Sequence, residues 1–141
     1  MGARRSGREA ALQMLFQLEG SGAPVDFVVT TFWKSFEADP EGKAYADALV
    51  RDCAARLAEV DEKIKAAATN WRIERMTRLD RNLLRLATIE LLARPDVPRA
   101  VILDEAVELA KGFGTEESSA FVNGVLSRIA DDLGRKDVDR A

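Results

Sequence analysis

Apolar residues recur at intervals of three and four along most of this chain, and the stretch 98–130 shows the pattern most clearly. Ile102, Leu103, Ala106, Val107, Leu109, Ala110 and Phe113 fall on one side at about 100° per residue. Asp104, Glu105, Glu108 and Lys111 fall opposite, which predicts an amphipathic helix. Gly112 and Gly114 suit the left-handed backbone that closes a helix. Thr115 then reads as an N-cap, with Glu116 and Glu117 in the first turn, where the helix dipole favours acids. The helix that follows turns Phe121, Val122, Val125, Leu126, Ile129 and Leu133 to one side. Two apolar faces in sequence need the rest of the chain to cover them.

The same period runs through the preceding residues. Ser6-Gly-Arg-Glu9 has capping-box spacing and predicts a helix from there to about Glu19, carrying Leu12, Leu15 and Phe16, with Gly20-Ser-Gly22 as its end. Val25, Val28, Val29, Phe32 and Phe36 have helical spacing despite the strand propensity of Val-Val-Thr-Thr, and Pro24 suits a first helical position. Asp39-Pro-Glu41 starts a helix with Tyr45, Leu49, Cys53 and Leu57 on one face. Val60 to Ile64 continues that face or restarts it with Asp61 as a cap. From Trp71 to Arg94, Met76, Leu79, Leu83, Leu86 and Ala87 form a core stripe, and Pro95-Asp-Val-Pro98 turns the chain. Six or seven helices and no convincing strand make this a single all-α domain of packed bundles. Residues 1–5 and the polar, mixed-charge tail 134–141 are expected to be loose.

Composition narrows what such a domain does. A chain of 141 residues with 47% hydrophobic and 32% charged residues buries a real core. A net charge of −3 gives no global attraction to nucleic acid, so any such contact must be local. No run of 18 apolar residues or signal-peptide core is present, and the expected location is the cytoplasm. The single cysteine, Cys53, excludes an internal disulfide and reads as a small core residue. With no histidine there is no Ser-His-Asp or Cys-His pair and no expected transition-metal site. Neither a Walker loop nor a dinucleotide glycine motif occurs. The expectation is a protein without catalysis, cofactor or metal.

The charged candidates are local. Arg4, Arg5 and Arg8 lie on or just before a helix start, where the dipole mildly disfavours cations; that conflict points to a polyanion, against the plain reading of a frayed terminus. Arg78, Arg81 and Arg85 share the face opposite the core stripe and read as solvated, with RNA contact as the less favoured alternative. Glu90 falls on the apolar side. A buried acid needs a partner, and Arg94 at i+4 or backbone amides are the candidates within reach of the sequence pattern. Asn123 and Gly124 read as a tie between helix backbones and a point of close helix approach.

Several separated segments, in order, also match a known family. They are Arg-Glu-Ala-Ala-Leu-Gln-Met-Leu-Phe-Gln (8–17), Trp71-Arg-Ile-Glu-Arg75, Leu79-Asp-Arg-Asn-Leu-Leu-Arg85 with Glu90-Leu-Leu92, Asp96-Val-Pro98, Asp104-Glu-Ala-Val-Glu-Leu-Ala-Lys111 and Phe121-Val-Asn-Gly-Val-Leu126. From about Arg4 to Ile129 the chain resembles the NusB family of bacterial transcription antitermination factors. The resemblance implies seven helices in two packed bundles. It implies binding, with ribosomal protein NusE, to the single-stranded boxA element of nascent ribosomal RNA, in support of the transcription elongation complex. Carried over, the RNA surface is Arg4, Arg5 and Arg8 with Lys111, Phe113, Glu117, Ser118 and Phe121. The NusE-facing surface includes Asp80, with Phe16 near it. The family's Ile-Asn-Glu-Ala stands here as Leu103-Asp-Glu-Ala106. Two other readings compete. One is a protein-binding module or homodimer that does not bind RNA by itself. The other is the recognition part of an RNA methyltransferase, although the chain carries no methyl-donor motif.

Overall fold

The structure, a computed structural model, describes residues 2–136. Within them it has seven α-helices: α1 (Ala3–Ser21), α2 (Val25–Ser35), α3 (Pro40–Ala55), α4 (Leu57–Ala67), α5 (Arg78–Ala93), α6 (Arg99–Phe113) and α7 (Glu116–Asp132). A 3-10 turn, Ile73–Arg75, precedes α5. No strand occurs among the described residues, and none of their helices is long and apolar enough to cross a membrane. The all-α expectation holds.

Helix α5 organises the packing. It touches α1 and α3 on one side and α4, α6 and α7 on the other. Accordingly nine of its residues are buried, from Asn82 to Leu91, interrupted only by Arg85. Leu83, Leu84, Leu86 and Ile89 meet Leu12, Leu49, Ile102 and Leu126 in one continuous core. The core is therefore shared by two groups of helices and is not divided between them. Cys53 lies wholly inside it. Burial pushes the Cys53 thiol up to about 12, as its sequence position suggested for an inert core residue.

The α1–α3 crossing is unusually close. A Cβ on Gly7 would stand 2.7 Å from the Gly42 carbonyl oxygen, and a Cβ on Gly42 would stand 2.6 Å from the Ala3 oxygen. Two glycines, neither at a turn, let the backbones touch. This crossing carries Tyr45 up to the start of α1.

Local signals fared unevenly. Thr115 caps α7 as expected, its hydroxyl accepting from the Ser118 amide at 3.1 Å. Thr77 does the same for Asp80 at the start of α5, so the helix begins at Arg78 and not at Trp71. The chain kinks at Arg56, which ends α3 and opens α4; Asp61 lies inside α4 and caps nothing. Ser6 is likewise inside α1, which starts at Ala3 with no side-chain cap, so the expected capping box is absent. Pro24 is the residue before the first turn of α2, one earlier than expected.

Gly112 is helical and Gly114 is extended (φ −134°), so neither supplies a left-handed cap. Gly114 sits instead in a tight spot, where a Cβ would stand 2.6 Å from Leu79 Cδ2 and 3.0 Å from the Ala110 carbonyl oxygen, so the Leu79 side chain would have to shift. Nothing approaches Gly124, and Asn123 is exposed, so the proposed backbone tie does not exist.

Helix and hydrogen bonds reach close to both ends of the described residues. Ala3 to Arg5 form the first turn of α1. Arg135 donates to the carbonyls of Leu91 (2.6 Å) and Val97 (2.5 Å), and its own carbonyl accepts from Arg99. Met1 and residues 137–141, expected to be loose, lie outside the described residues.

Candidate RNA and partner interface

The three arginines at the start of α1 do three different things. Arg8 points inward and is 4% exposed. Its guanidinium grips Glu90 of α5 with two nitrogens, Nε to Oε1 at 2.9 Å and Nη2 to Oε2 at 2.5 Å. Tyr45 donates its hydroxyl to the same carboxylate at 2.5 Å. Burial works against the Arg8 charge, but the hydrogen bond and charge of Glu90 more than compensate and hold its pKa above the ordinary value. Burial, with the adjacent carboxylate, pushes the Tyr45 phenol up as well. Arg8 is thus corrected from an RNA contact to a structural partner, because it is enclosed and fully engaged. Glu90 finds its partners on α1 and α3, while Arg94, the partner suggested by spacing, pairs with Asp52 instead.

Arg5 is half exposed and lies against Glu105 of α6, with Nη2 to Oε2 at 2.5 Å. Hydrogen bonding to Arg5, reinforced by its charge and that of Arg8, holds the Glu105 carboxyl below the usual range against the opposing effect of burial. Arg4 is exposed, with its guanidinium 4.8 Å from the centroid of the Tyr45 ring. Arg4 and Arg5 are therefore the two cations that α1 presents at the surface.

The second set of residues surrounds the α6–α7 turn. Lys111 is exposed at the end of α6, and Phe113 is 53% exposed. Glu117 is exposed in the first turn of α7, and Ser118 is half-buried beneath its cap. Phe121 is half-buried and packs against the core, with its ring near-perpendicular to that of Trp71 at 5.7 Å between centroids. Arg5 and Lys111 open onto one shallow hollow between α6 and α7. The Arg5–Glu105 contact lies eight residues before Phe113, about 12 Å of helix rise. The arm and the turn thus share α6 as a common edge without touching directly. Acids line the hollow as well, namely Asp104, Glu105, Glu108 and Glu116, so its lining carries more acids than cations.

A third cluster gathers at the other end of α1. Glu19 accepts from Arg81 at 2.6 and 2.7 Å, from Arg85 at 3.0 Å and from Arg78 at 3.2 Å. Arg85 also makes a two-nitrogen pair with Asp61 of α4, both bonds at 2.9 Å. The arginines expected on a solvated face instead tie α1, α4 and α5 together. Hydrogen bonding to Arg81 is the main reason that the Glu19 pKa lies below the usual range, despite partial burial. Sequence reasoning missed this role of Glu19. The available signal was an acid in the last turns of a helix, where the dipole disfavours it.

Next to this cluster, Phe16 is half-buried under the Arg78 guanidinium, 5.0 Å from its ring centroid, and borders an apolar hollow with Phe27, Val28 and Thr31. Asp80 is half-buried in the first turn of α5, and its Oδ1 is shielded from solvent with no hydrogen-bond donor among the described residues.

Comparison with known proteins agrees with this architecture over nearly the whole chain. The chain is 65% identical over 140 residues to the transcription antitermination protein NusB of Sorangium cellulosum (strain So ce56), covering 99% of this chain and 100% of that protein. It is 49% identical over 134 residues to NusB of Myxococcus xanthus (strain DK1622), covering 92% and 96%. The solved structure of T. maritima NusB matches with a TM-score of 0.83 at 37% identity, over 92% of this chain and 91% of that one. A chain in the crystal structure of the antitermination factors NusB and NusE in complex with dsRNA matches with a TM-score of 0.84 at 26% identity, over 94% and 98%. The NusB family model itself matches residues 5–131. With a full-length relative at this identity and the same helical architecture, the chain belongs to the NusB family.

Proposed function

We propose that this protein is a transcription antitermination factor that acts by binding and not by catalysis. It pairs with ribosomal protein NusE in the cytoplasm and holds the boxA element of nascent ribosomal RNA close to the elongation complex. The observation that carries this reading is that Arg5 of α1 and Lys111 of α6, one cation from each of the two candidate segments, line one hollow. Family membership supports it, as does the solved neighbour in which NusB is found with NusE and dsRNA.

Arg4, Arg5 and Lys111 are the cations for phosphates. Phe113 offers an exposed ring to an unpaired base, and Glu117, Ser118 and Phe121 border the same turn. Arg5 reaches a phosphate by exchanging its Glu105 carboxylate for another anion, so its net gain is smaller than that of a free cation. NusE docks at the opposite end of α1, where Phe16 borders the apolar hollow and Asp80, with its shielded Oδ1, lies in the first turn of α5.

Three phosphate contacts give a slope of log K against log salt of about −2 for single strands. Changing Arg4 and Arg5 to alanine, with Arg8 left in place, is expected to weaken boxA binding and make that slope shallower by about 1.4. Titration of labelled boxA RNA at two salt concentrations, with and without NusE, measures both. Unchanged affinity and slope in this double variant would remove the α1 arm from the RNA site. A protein that shifts no RNA under either condition, and has the mass of a homodimer, would overturn the antitermination reading in favour of a protein-binding module.

A further inference from the structure

Trp71 is, with Phe27, one of the two most exposed large hydrophobic side chains among the described residues, at 62%. Its position is nevertheless fixed. Its amide donates to the Ala68 carbonyl at 3.1 Å, the 3-10 turn begins two residues later, and Ile73 is buried in the core. On one side the indole meets Phe121 at an interplanar angle of 77°. That contact sets the tilt of the ring and leaves most of it facing solvent. The ring is thus a large apolar group that is held in place and left mostly uncovered.

The surroundings indicate what covers it. Trp71 borders an open hollow between the end of α4 and the 3-10 turn, flanked by Lys65 and Arg72. Arg75 follows on the same turn and is exposed. None of these three cations forms an ion pair among the described residues. Glu74 is the acid of the hollow, so the local balance remains positive in a protein whose net charge is −3. A rigid, uncovered aromatic ring flanked by unpaired cations matches the way proteins hold single-stranded nucleic acid, with a base on the ring and phosphates on the cations. An acidic or apolar protein segment would use only half of these features.

The geometry points to Trp71 as a stacking site for an unpaired RNA base, with Phe121 setting its tilt and Lys65 and Arg72 taking the flanking phosphates. This rests on the proposed RNA-binding function and extends its surface beyond the α6–α7 turn to the α4–α5 connection. Phe121 joins the two parts, since it lies five residues into α7 and touches Trp71 directly.

The test uses the full chain with NusE and a fluorescein-labelled single-stranded boxA RNA for affinity, and unlabelled RNA for intrinsic tryptophan emission. Trp71→Ala and Trp71→Leu are expected to weaken binding by about fivefold or more while leaving the salt slope unchanged, because stacking releases no counterions. Trp71→Phe keeps a ring and is expected to bind within about twofold of the parent. RNA is expected to quench the parent's emission. In Trp71→Phe, which retains only Trp33, that quenching disappears although RNA still binds.

Parent affinity in both Trp71→Ala and Trp71→Leu, or identical quenching in parent and Trp71→Phe, would overturn the stacking assignment while the RNA-binding reading stands. Failure of the parent itself to bind labelled RNA would overturn both. A melting curve for each variant separates the stacking loss from unfolding: Trp71→Leu that binds weakly yet melts with the parent supports the assignment, and weak binding that tracks a lowered melting temperature counts against it.

Discussion

At the scale of single residues, Arg8 shows how a correct local signal can lead to the wrong partner. A cation in the first turns of a helix conflicts with the dipole, and an anion is needed to offset it. Here the anion is inside the molecule. Glu90 lies 82 residues away in sequence, and Tyr45 completes its hydrogen bonding from a third helix. The sequence marked Arg8 as a misplaced cation and Glu90 as a buried acid needing a partner. Joining the two requires the register of α1 against α5, which the period of either helix leaves undetermined. Removing one partner of a buried pair strands the other charge, so Arg8→Ala is expected to lose about 3–5 kcal/mol of stability in urea unfolding. Replacing both, as Arg8→Met with Glu90→Leu, is expected to recover most of that loss. The same double variant tests the role of Arg8. If it folds well but has lost boxA affinity, Arg8 touches RNA after all; if affinity is retained, its role is to position the arm that carries Arg4 and Arg5.

At the scale of elements, α1 is held at both ends by ion pairs and in the middle by close packing. The two-nitrogen grip of Arg8 on Glu90 fixes its start, the Gly7–Gly42 contact fixes its crossing with α3, and Glu19 anchors its end to α5. The sequence showed the helices through their apolar period but not these fastenings. Gly7 lies in what reads as a capping box, Gly42 in a plausible first turn, and Arg78, Arg81 and Arg85 on a face that looks solvated. Each gains its role only when another helix is placed against it.

The Glu19 fastening has a pH signature. Its carboxyl pKa is lowered in the folded protein, so the charged form contributes stability above the ordinary glutamate value of about 4.3. That contribution is lost as pH falls through the folded value. Glu105, lowered by Arg5, acts in the same direction. Urea midpoints measured at pH 7, 5 and 3.5 are expected to fall with acidification, and to fall less steeply in Glu19→Gln, which starts from a lower stability at pH 7. An acid slope identical to the parent's in that variant would show that the arginine cluster does not depend on the Glu19 charge.

For the whole molecule, the all-α class and the helix boundaries followed from the apolar period to within a few residues, apart from the 3-10 turn that delays α5. The arrangement into two groups of helices came from the family resemblance, since period alone says which face is buried and not against what. What neither conveyed is that both groups share α5 as a common wall, with buried residues on nearly every side of it. This has a consequence for cooperativity. Were the groups independent, each with its own core, one could open while the other stayed folded. With α5 in both, separating either group exposes Leu83, Leu84, Leu86 and Ile89, and the remaining group loses its wall. The two are therefore expected to unfold together. Cys53 reports on one side: it is wholly buried, its Sγ lies 4.0 Å from the Arg85 carbonyl of α5, and its thiol is inert while folded. Trp71 reports on the other side, through its contact with Phe121. In a urea series, the onset of Cys53 labelling by a thiol reagent and the change in Trp71 emission, followed in a Trp33→Phe background, are expected to give the same midpoint and the same slope. A Cys53 transition clearly ahead of the Trp71 transition, or behind it, would mean that α5 stays docked to one group while releasing the other.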